Sequence, residues 1–335
     1  MKRFSIILAF LTIFTLTLPD VSATAAVRTH RISRVRRHRH SHAIRRKHRT
    51  RRVRSTGYVT KREIGVYRGL GTWVDVYDWS RELSGDPPRI GPRSLDEMKA
   101  HGVKTLYLQA AKEDDRTPGD LVDPDLLSDW LLGAHARGIA VVGWYLPKFA
   151  DVGRDLKHLQ AIRAFRAGSD RFDGIAVDIE WRNSVPDAND RSARLVDLSR
   201  QLRGASGTEA LGAIVMPPVV TDVINPNFWP GFPWGSINTI YDVWMPMDYW
   251  TNRKPESGYR DAHRYTSENI SLLRKDLGQP GAAVHAIGGV GNTSVDDDYR
   301  GFVQADAEGG VIGASNYDYR TTSQTGWTIL TNSIH

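Results

Sequence analysis

Residues 173–181 read DGIAVDIEW and give the clearest indication of the architecture. A short apolar run that follows a glycine is typical of a buried strand. Asp178 and Glu180 lie two residues apart, so on a strand their side chains point to the same face. The stretch therefore predicts a buried strand that presents two carboxyl groups together near its carboxyl end.

Seven similar runs surround this one and recur along the chain. The strand candidates are 70–77, 103–109, 139–146, 174–180, 211–216, 242–249, 283–288 and 310–317, and helical patterns lie between them at 94–102, 123–138, 151–168, 187–204, 258–278 and 294–308. Eight alternating units predict an α/β fold, a single (β/α)8 TIM barrel over residues 58–335. A doubly wound open sheet is the alternative, but no G-x-G-x-x-G turn follows the first strand.

The composition excludes several classes of site. The 335 residues include no Cys, so disulfide scaffolds, thiolate zinc sites and cysteine nucleophiles are ruled out. The net charge of +7 comes from one region, because residues 27–54 hold 13 Lys and Arg, 5 His and no acid. Residues 55–335 hold 30 basic and 37 acidic residues. A basic arm therefore precedes an acidic body.

The N-terminal residues have the parts of a secretory signal peptide over 1–25: a basic start, an apolar run from Phe4 to Leu18 and the small-x-small site at 23–25. An uncleaved membrane anchor is the alternative, although the run is shorter than the ~20 residues a span needs. Residues 26–57 form an Arg/His-rich arm that cannot bury a core and is expected to be disordered. We expect a secreted protein, extracellular or associated with the cell envelope.

The arm predicts attachment to anionic polymers of the cell envelope, with a solvated linker as the alternative. A nucleic-acid partner is not expected, since the acidic body would repel phosphates. We also expect no membrane-inserted segment after cleavage and a monomeric chain.

Active sites of such barrels lie at the carboxyl ends of the strands. At the ends of the candidate strands the chain carries carboxyl groups and aromatic rings, which suit a saccharide because rings stack on the apolar faces of sugars. Besides the pair on strand 4, the predicted substrate-binding residues are Trp73, Tyr77, Tyr107, Gln109, Trp144, Trp181, Asp248, Trp250, Tyr317 and Asp318.

Paired carboxyl groups supply the acid and the base or nucleophile of glycoside hydrolysis. Two such groups side by side cannot both ionise freely, so the pKa of one rises and it keeps its proton. We assign Glu180 as the general acid because it lies nearer the strand end, with Asp178 raising its pKa. The alternative is a pair neutralised inside the barrel by Arg or by backbone donors.

The pattern Asp173-Gly174-x-x-x-Asp178-x-Glu180 resembles the fourth-strand signature DGxDxDxE of the family 18 chitinase-like glycoside hydrolases, and 247–249 (MDY) resembles the Met-x-Tyr of their sixth strand. The resemblance covers most of 64–320. It implies Glu180 as proton donor, Asp178 as its assistant and Tyr249 as a substrate-binding hydroxyl. A weaker resemblance, through Asp75 and the strand 4 pair, links the chain to the family 25 lysozyme-like barrels.

Two positions depart from the family 18 pattern. Ala176 replaces the first Asp of the strand 4 motif, and Trp250 replaces the Asp that usually follows the tyrosine. In the family that Asp helps to hold a 2-acetamido group, which acts as internal nucleophile. Its loss calls for a second protein carboxylate, and the candidates in order are Asp75, Asp248 and Asp318. Asp248 has opposite strand parity to Tyr249, so it can face the helices.

The connection 217–240 is long and rich in Pro and aromatic residues. We interpret it as a lid or sugar platform, with a small local core as the alternative.

The sequence thus predicts a glycoside hydrolase of a cell-wall or extracellular polysaccharide, with no metal or other cofactor. A non-catalytic carbohydrate-binding barrel is the first alternative. A metal-dependent hydrolase is the second, but His285 is the one histidine in a candidate strand.

Overall fold

The computed structural model describes residues 62–335. Eight parallel strands form a closed barrel in sequence order, and β8 pairs with β1. The strands are β1 Gly69–Val74, β2 Thr105–Gln109, β3 Ala140–Tyr145, β4 Gly174–Ile179, β5 Leu211–Val215, β6 Val243–Asp248, β7 His285–Gly289 and β8 Gly313–Tyr317. The predicted (β/α)8 barrel is confirmed, and each strand overlaps its predicted segment.

Helices cover the outside of the barrel. Within residues 62–335 the α-helices are α1 Val76–Trp79, α2 Arg81–Ser84, α3 Ser94–Ala100, α4 Pro124–Ala136, α5 Val152–Ala164, α6 Ala188–Ser206, α7 Trp234–Ile237, α8 Ala262–Asp276, α9 Asp296–Gly309 and α10 Gln324–Ser333. Short 3-10 turns lie at Gly65–Tyr67, Trp250–Asn252, Pro255–Ser257 and Gly291–Thr293, and a π-helix lies at Val219–Ile224. The barrel is thus closed by βα units, as the alternation predicts.

The first strand is shorter than predicted. It ends at Val74, because Asp75 accepts a hydrogen bond from the Tyr77 backbone N–H (2.8 Å) and caps α1. Tyr77 therefore lies on a helix and does not continue the strand parity of Trp73. The helix α10 lies outside the predicted helical segments. Its Trp327 stacks on His101 with ring centroids 4.7 Å apart.

Large side chains fill the interior of the barrel. The Tyr67 hydroxyl donates to the Ile175 carbonyl (2.8 Å) and lies at the amino-terminal end of the strands. Above it, Tyr107 contacts His285, whose Nε2 lies 3.0 Å from the Ser315 hydroxyl. Gly71 leaves the space for Tyr107, since a Cβ there would lie 2.6 Å from its ring. The lower barrel is therefore a packed core.

Asp173, the first residue of the strand 4 motif, has a structural role. It lies just before β4, where its carboxylate accepts from the Val141 backbone N–H and contacts His135 Nε2 at 2.9 Å. His135 also contacts Asp170 at 2.9 Å through Nδ1. Asp173 thus ties α4 to the amino-terminal ends of β3 and β4, away from the barrel mouth.

The predicted signal peptide and basic arm lie outside the described residues. Within 62–335 no helix has the length and apolar character needed to span a membrane.

Candidate active site

Strand β4 brings the two carboxyl groups of its motif to the barrel mouth. Ala176 belongs to the interior cluster, so Asp178 and Glu180 follow it on the same face. Asp178 is 7% exposed and its Oδ1 makes no hydrogen bond with a described residue, whereas Glu180 is half-buried. No Lys or Arg within 62–335 forms an ion pair with either group. The pair is therefore not neutralised by a cation.

This environment favours the protonated forms. Burial raises the pKa of Asp178 well above its ordinary value, and the neighbouring Glu180 raises it further. Burial also raises the pKa of Glu180. Since the two groups interact, they titrate as a unit and keep a proton at a pH where isolated carboxyl groups have lost theirs.

Strand β6 places Tyr249 beside this pair. Met245 and Met247 face the interior, and Tyr249 follows them with the same parity. Burial raises the pKa of Tyr249 well above its usual range, and the charges of Glu180 and Asp178 raise it further. Its phenol therefore stays protonated and is a hydrogen-bond donor beside the carboxyl pair.

Strands β1 and β8 bring Asp75 and Tyr317 to the same mouth. The Tyr317 hydroxyl donates to Asp75 Oδ2 at 2.9 Å, and its ring lies 5.7 Å from that of Tyr249. Asp75 is 7% exposed, and burial, followed by the charge of Asp78, raises its pKa to about 6. Asp75 is thus ionised at neutral pH and held by two donors.

Two tryptophans form the floor of the mouth. Trp73 stacks on Tyr107 (4.3 Å between centroids) and donates its indole N–H to Ser315 Oγ at 2.7 Å. Trp144 meets Trp73 edge to face at 5.9 Å, and its indole N–H has no described partner. Only small parts of these rings remain accessible, so they offer a saccharide an apolar base rather than an open platform.

Three predicted substrate-binding residues have no exposed surface and lie away from the mouth. Tyr107 has no exposed surface, because it lies one layer deeper in the barrel, under Trp73. Asp248 is also fully buried and has the opposite parity to Tyr249, so it faces the helical layer. Burial there raises the pKa of Asp248, and the charge of Asp306 raises it further. Trp250 packs against Phe302 behind β6 and β7.

The remaining predicted residues are divided between loop support and the rim. Gln109 accepts from the Val76 backbone N–H at 3.2 Å and supports the turn after β1. Asp318 accepts from the Thr321 hydroxyl and backbone N–H, both at 2.9 Å, and orders the turn after β8. The half-buried Trp181 and the exposed Tyr77 lie in the segments that follow β4 and β1.

Trp229, Phe232 and Trp234 of the connection 217–240 form a local core. Trp229 is buried against Phe149 at 5.9 Å, and Phe232 lies between Trp229 and Trp234. Trp234 in turn contacts Trp244 on β6 at 5.7 Å. The aromatic residues therefore attach the connection to the barrel.

Sequence reasoning missed two arginines on this face of the barrel. Arg182 follows Trp181, and Arg191 lies on α6; both line a cavity of about 740 Å³. A signal was present in the composition of the segment after β4, where 181–194 carries Arg at three positions. Their packing on Phe228 and Trp229 depends on the other loop and could not be deduced.

The structure gives no support to a metal centre. Within 62–335 no group of three or more His, Asp or Glu side chains has the arrangement of a metal site. Burial lowers the pKa of His285 to about 4, and the ring is part of the packed interior. The one strand histidine is thus a core residue.

No protein-family model matches the sequence, and no curated protein is significantly similar to it. Solved structures are similar in fold. An endo-1,4-β-D-mannanase from Thermotoga petrophila has a TM-score of 0.55 and 10% identity, covering 79% of this chain and 98% of its own. The spore cortex-lytic enzyme SleL from Bacillus cereus has a TM-score of 0.56 and 10% identity, covering 79% and 74%.

A chitinase from Chromobacterium violaceum has a TM-score of 0.51 and 12% identity, covering 79% of this chain and 98% of its own. At such identities the likeness shows the shared fold alone. The chain therefore has the (β/α)8 fold that glycoside hydrolases of several specificities use, as its motif resemblance implies.

Proposed function

We propose that this chain is a glycoside hydrolase that cleaves a polysaccharide, with Glu180 as the general acid. The observation that carries the proposal is the pair Asp178 and Glu180 at the barrel mouth, buried enough to hold a proton and without a cationic partner. A carboxyl group that keeps its proton near neutral pH can protonate a glycosidic oxygen. The fold shared with mannanase, chitinase and cortex-lytic barrels supports the same reaction class.

In the proposed mechanism Glu180 gives its proton to the bridging oxygen as the bond to the anomeric carbon breaks. Positive charge then develops on the sugar, and an ionised carboxylate stabilises it or attacks it. Asp75 is the group we assign to this role, because it is ionised above pH 6 and is positioned by Tyr317 and the Tyr77 backbone N–H. Water completes the hydrolysis, and Glu180 accepts its proton.

The assignment of Asp75 follows from the positions of the alternatives. Asp248 lies behind the barrel wall, and Asp318 is held by Thr321 in its turn. Trp250 is packed against Phe302, so the position after Tyr249 offers no carboxylate to a 2-acetamido group. A protein carboxylate therefore takes the part that an acetamido group plays in the family the sequence resembles.

We further propose that the enzyme is exported and acts on a cell-wall or extracellular polysaccharide. This rests on the signal-peptide pattern of 1–25 and on the cationic arm that follows it. Release of the protein from intact envelopes by salt tests the arm, since attraction between exposed charges weakens with ionic strength.

The decisive experiment is Glu180→Gln, assayed on a panel of mannans, chitin, peptidoglycan and acidic glycans for new reducing ends. Glu256→Gln is the matched control, because Glu256 is exposed on a 3-10 turn. We expect wild type and the control to cleave at least one glycan and Glu180→Gln to lose about 10²–10⁴-fold in rate. Equal rates for all three proteins would refute the assignment of the acid.

A non-catalytic carbohydrate-binding barrel is the second candidate, favoured by Ala176 and Trp250 at two positions where the family carries carboxylates. It predicts retention on a glycan column for wild type and Glu180→Gln alike, with no new reducing ends from either.

A further inference from the structure

The cavity lined by Arg182 and Arg191 lies on the same face of the barrel as the carboxyl pair. Its walls come from the segment after β4 and the segment after β5, and both strands end at the barrel mouth. Arg182 is two residues beyond Glu180, which places their Cα atoms within about 7 Å of each other. A ligand in this cavity is therefore a neighbour of the proposed proton donor.

Within 62–335 neither arginine of the cavity forms a salt bridge with a carboxylate, although the charge of Asp187 acts on Arg191. The guanidinium of Arg182 lies over the Phe228 ring at 4.6 Å, and that of Arg191 over the Trp229 ring at 4.2 Å. Aromatic faces hold a guanidinium in place and leave its positive charge intact. By contrast, Arg194 on the same helix pairs with Asp190 at 2.9 Å.

Arg191 is the stronger observation, because its charge is buried. It is 2% exposed, and its Nη1 donates to the backbone carbonyls of Val185 and Pro186 at 2.6 and 3.3 Å. Its Nε has no hydrogen-bond partner among residues 62–335. Arg191 therefore places a buried and incompletely bonded positive charge at the wall of the cavity.

The rest of the lining strengthens this field. The amino-terminal end of α6 borders the cavity, and helix amino termini favour negative charge. Asp187 is the one acid of the lining, and its Oδ1 is already engaged by the Asp190 backbone N–H at 2.8 Å. Asp187 thus caps the amino terminus of α6, and the two arginines outnumber this one acid, which leaves the lining with a net positive charge.

We propose that this cavity binds an anionic substituent, a carboxylate or a phosphate, carried by the polysaccharide that is cleaved at Glu180. Arg182 contacts the anion, the buried charge of Arg191 attracts it, and Phe228 lines the cavity beside the sugar that carries it. The proposal rests on the proposed function for the cleavage, but the binding site itself does not depend on turnover. It assigns the substrate to the acidic polysaccharides.

Binding is measured in the Glu180→Gln background, so that no probe is consumed. The carboxylate probes are oligogalacturonate and hyaluronan fragments, the phosphate probe is a phosphorylated mannan fragment, and each is compared with its methyl-esterified, carboxyl-reduced or dephosphorylated form. We expect at least one anionic fragment to bind about tenfold more tightly than its neutral form, with an affinity that falls as salt is added.

Arg182→Gln is then added to this background, with Arg200→Gln as the matched control on an exposed position of α6. We expect Arg182→Gln to remove about tenfold in affinity for the anionic probe, Arg182→Lys to restore part of it, and Arg200→Gln to match the parent. Thermal unfolding of each variant verifies that it is folded.

Equal binding of charged and neutral forms, no binding of any anionic probe, or equal losses for Arg182→Gln and Arg200→Gln would overturn the proposal. A preference for phosphate alone or for carboxylate alone supports it and identifies the anion. If anionic glycans bind through Arg182 but wild type cleaves no glycan of the whole panel, the subsite is supported and the hydrolase function is refuted.

Discussion

Replacement of Asp75 by Asn is expected to stabilise the fold at neutral pH while it abolishes hydrolysis. Burial raises the pKa of Asp75 from 3.8 to about 6. One pKa unit corresponds to about 1.4 kcal/mol, so the ionised carboxylate costs the folded state up to about 3 kcal/mol. Asn removes that charge but weakens the bonds from Tyr317 and Tyr77, which leaves a net gain of about 1–2 kcal/mol.

The sign of the pH dependence follows from the raised pKa. Between pH 4 and pH 6 the folded protein binds the Asp75 proton more tightly than the unfolded chain does, so the free energy of unfolding falls as pH rises through this window. The gain from Asp75→Asn is therefore absent below pH 4 and complete above about pH 7. In thermal unfolding it corresponds to a rise of about 5 °C at pH 8.

The assay is urea unfolding of wild type and Asp75→Asn at pH 4.5 and pH 8, together with the rate of glycan cleavage. Asp129→Asn, on an exposed position of α4, is the control for loss of one acid. A variant that is no more stable than the control at pH 8 would show that Asp75 is not a buried, costly charge. A variant that keeps full activity would remove Asp75 from the mechanism.

Three further predictions test other parts of the structure. Asp248→Asn should raise the free energy of unfolding above pH 7 by about 1–3 kcal/mol, because burial and then the charge of Asp306 raise the pKa of this carboxyl group well above its ordinary value. Urea unfolding measures this, and a large loss of glycan cleavage would mean that the residue reaches the substrate. Tyr249→Phe should lower kcat/KM about tenfold or more through loss of one donor to the reacting sugar, whereas unchanged kinetics would exclude that contact. Burial alone would lower the pKa of His135, but bonds to its two aspartates raise it overall. His135→Asn should therefore lower the free energy of unfolding by about 1 kcal/mol at pH 5.5 and by less at pH 8.5. Equal losses of stability at both pH values would contradict the ion pair.

The positions of the strands and the face to which each side chain points could be deduced from the sequence, because both depend on the local pattern of apolar residues. The apolar runs predict all eight strands, and period-two parity separates Tyr249 from Asp248. Depth within the barrel has no such local signal. Tyr107 is the direct partner of Trp73 across β1 and β2, yet its ring lies beneath Trp73 because Gly71 leaves space for it there.

Long-range packing limited the rest of the site prediction. Trp250 is a residue type that often stacks on sugars, yet its ring packs against Phe302 instead. The position of the Arg191 guanidinium likewise depends on Trp229, which comes from a different loop. The sequence shows which residue types lie at a strand end. Whether those side chains are buried against other residues or remain accessible to a substrate depends on elements far away along the chain.

The filled interior of the barrel has a consequence for how a polymer could be handled. Tyr67, Tyr107 and His285 occupy the axis below Trp73, so the basin has a closed base and a single opening. A long chain cannot thread through the molecule and must lie across the rim, with incoming water and departing fragments sharing one entrance. The rates at which polysaccharide enters and fragments leave through that opening, rather than passage through a tunnel, would then govern how often successive bonds of the same polysaccharide chain are cut.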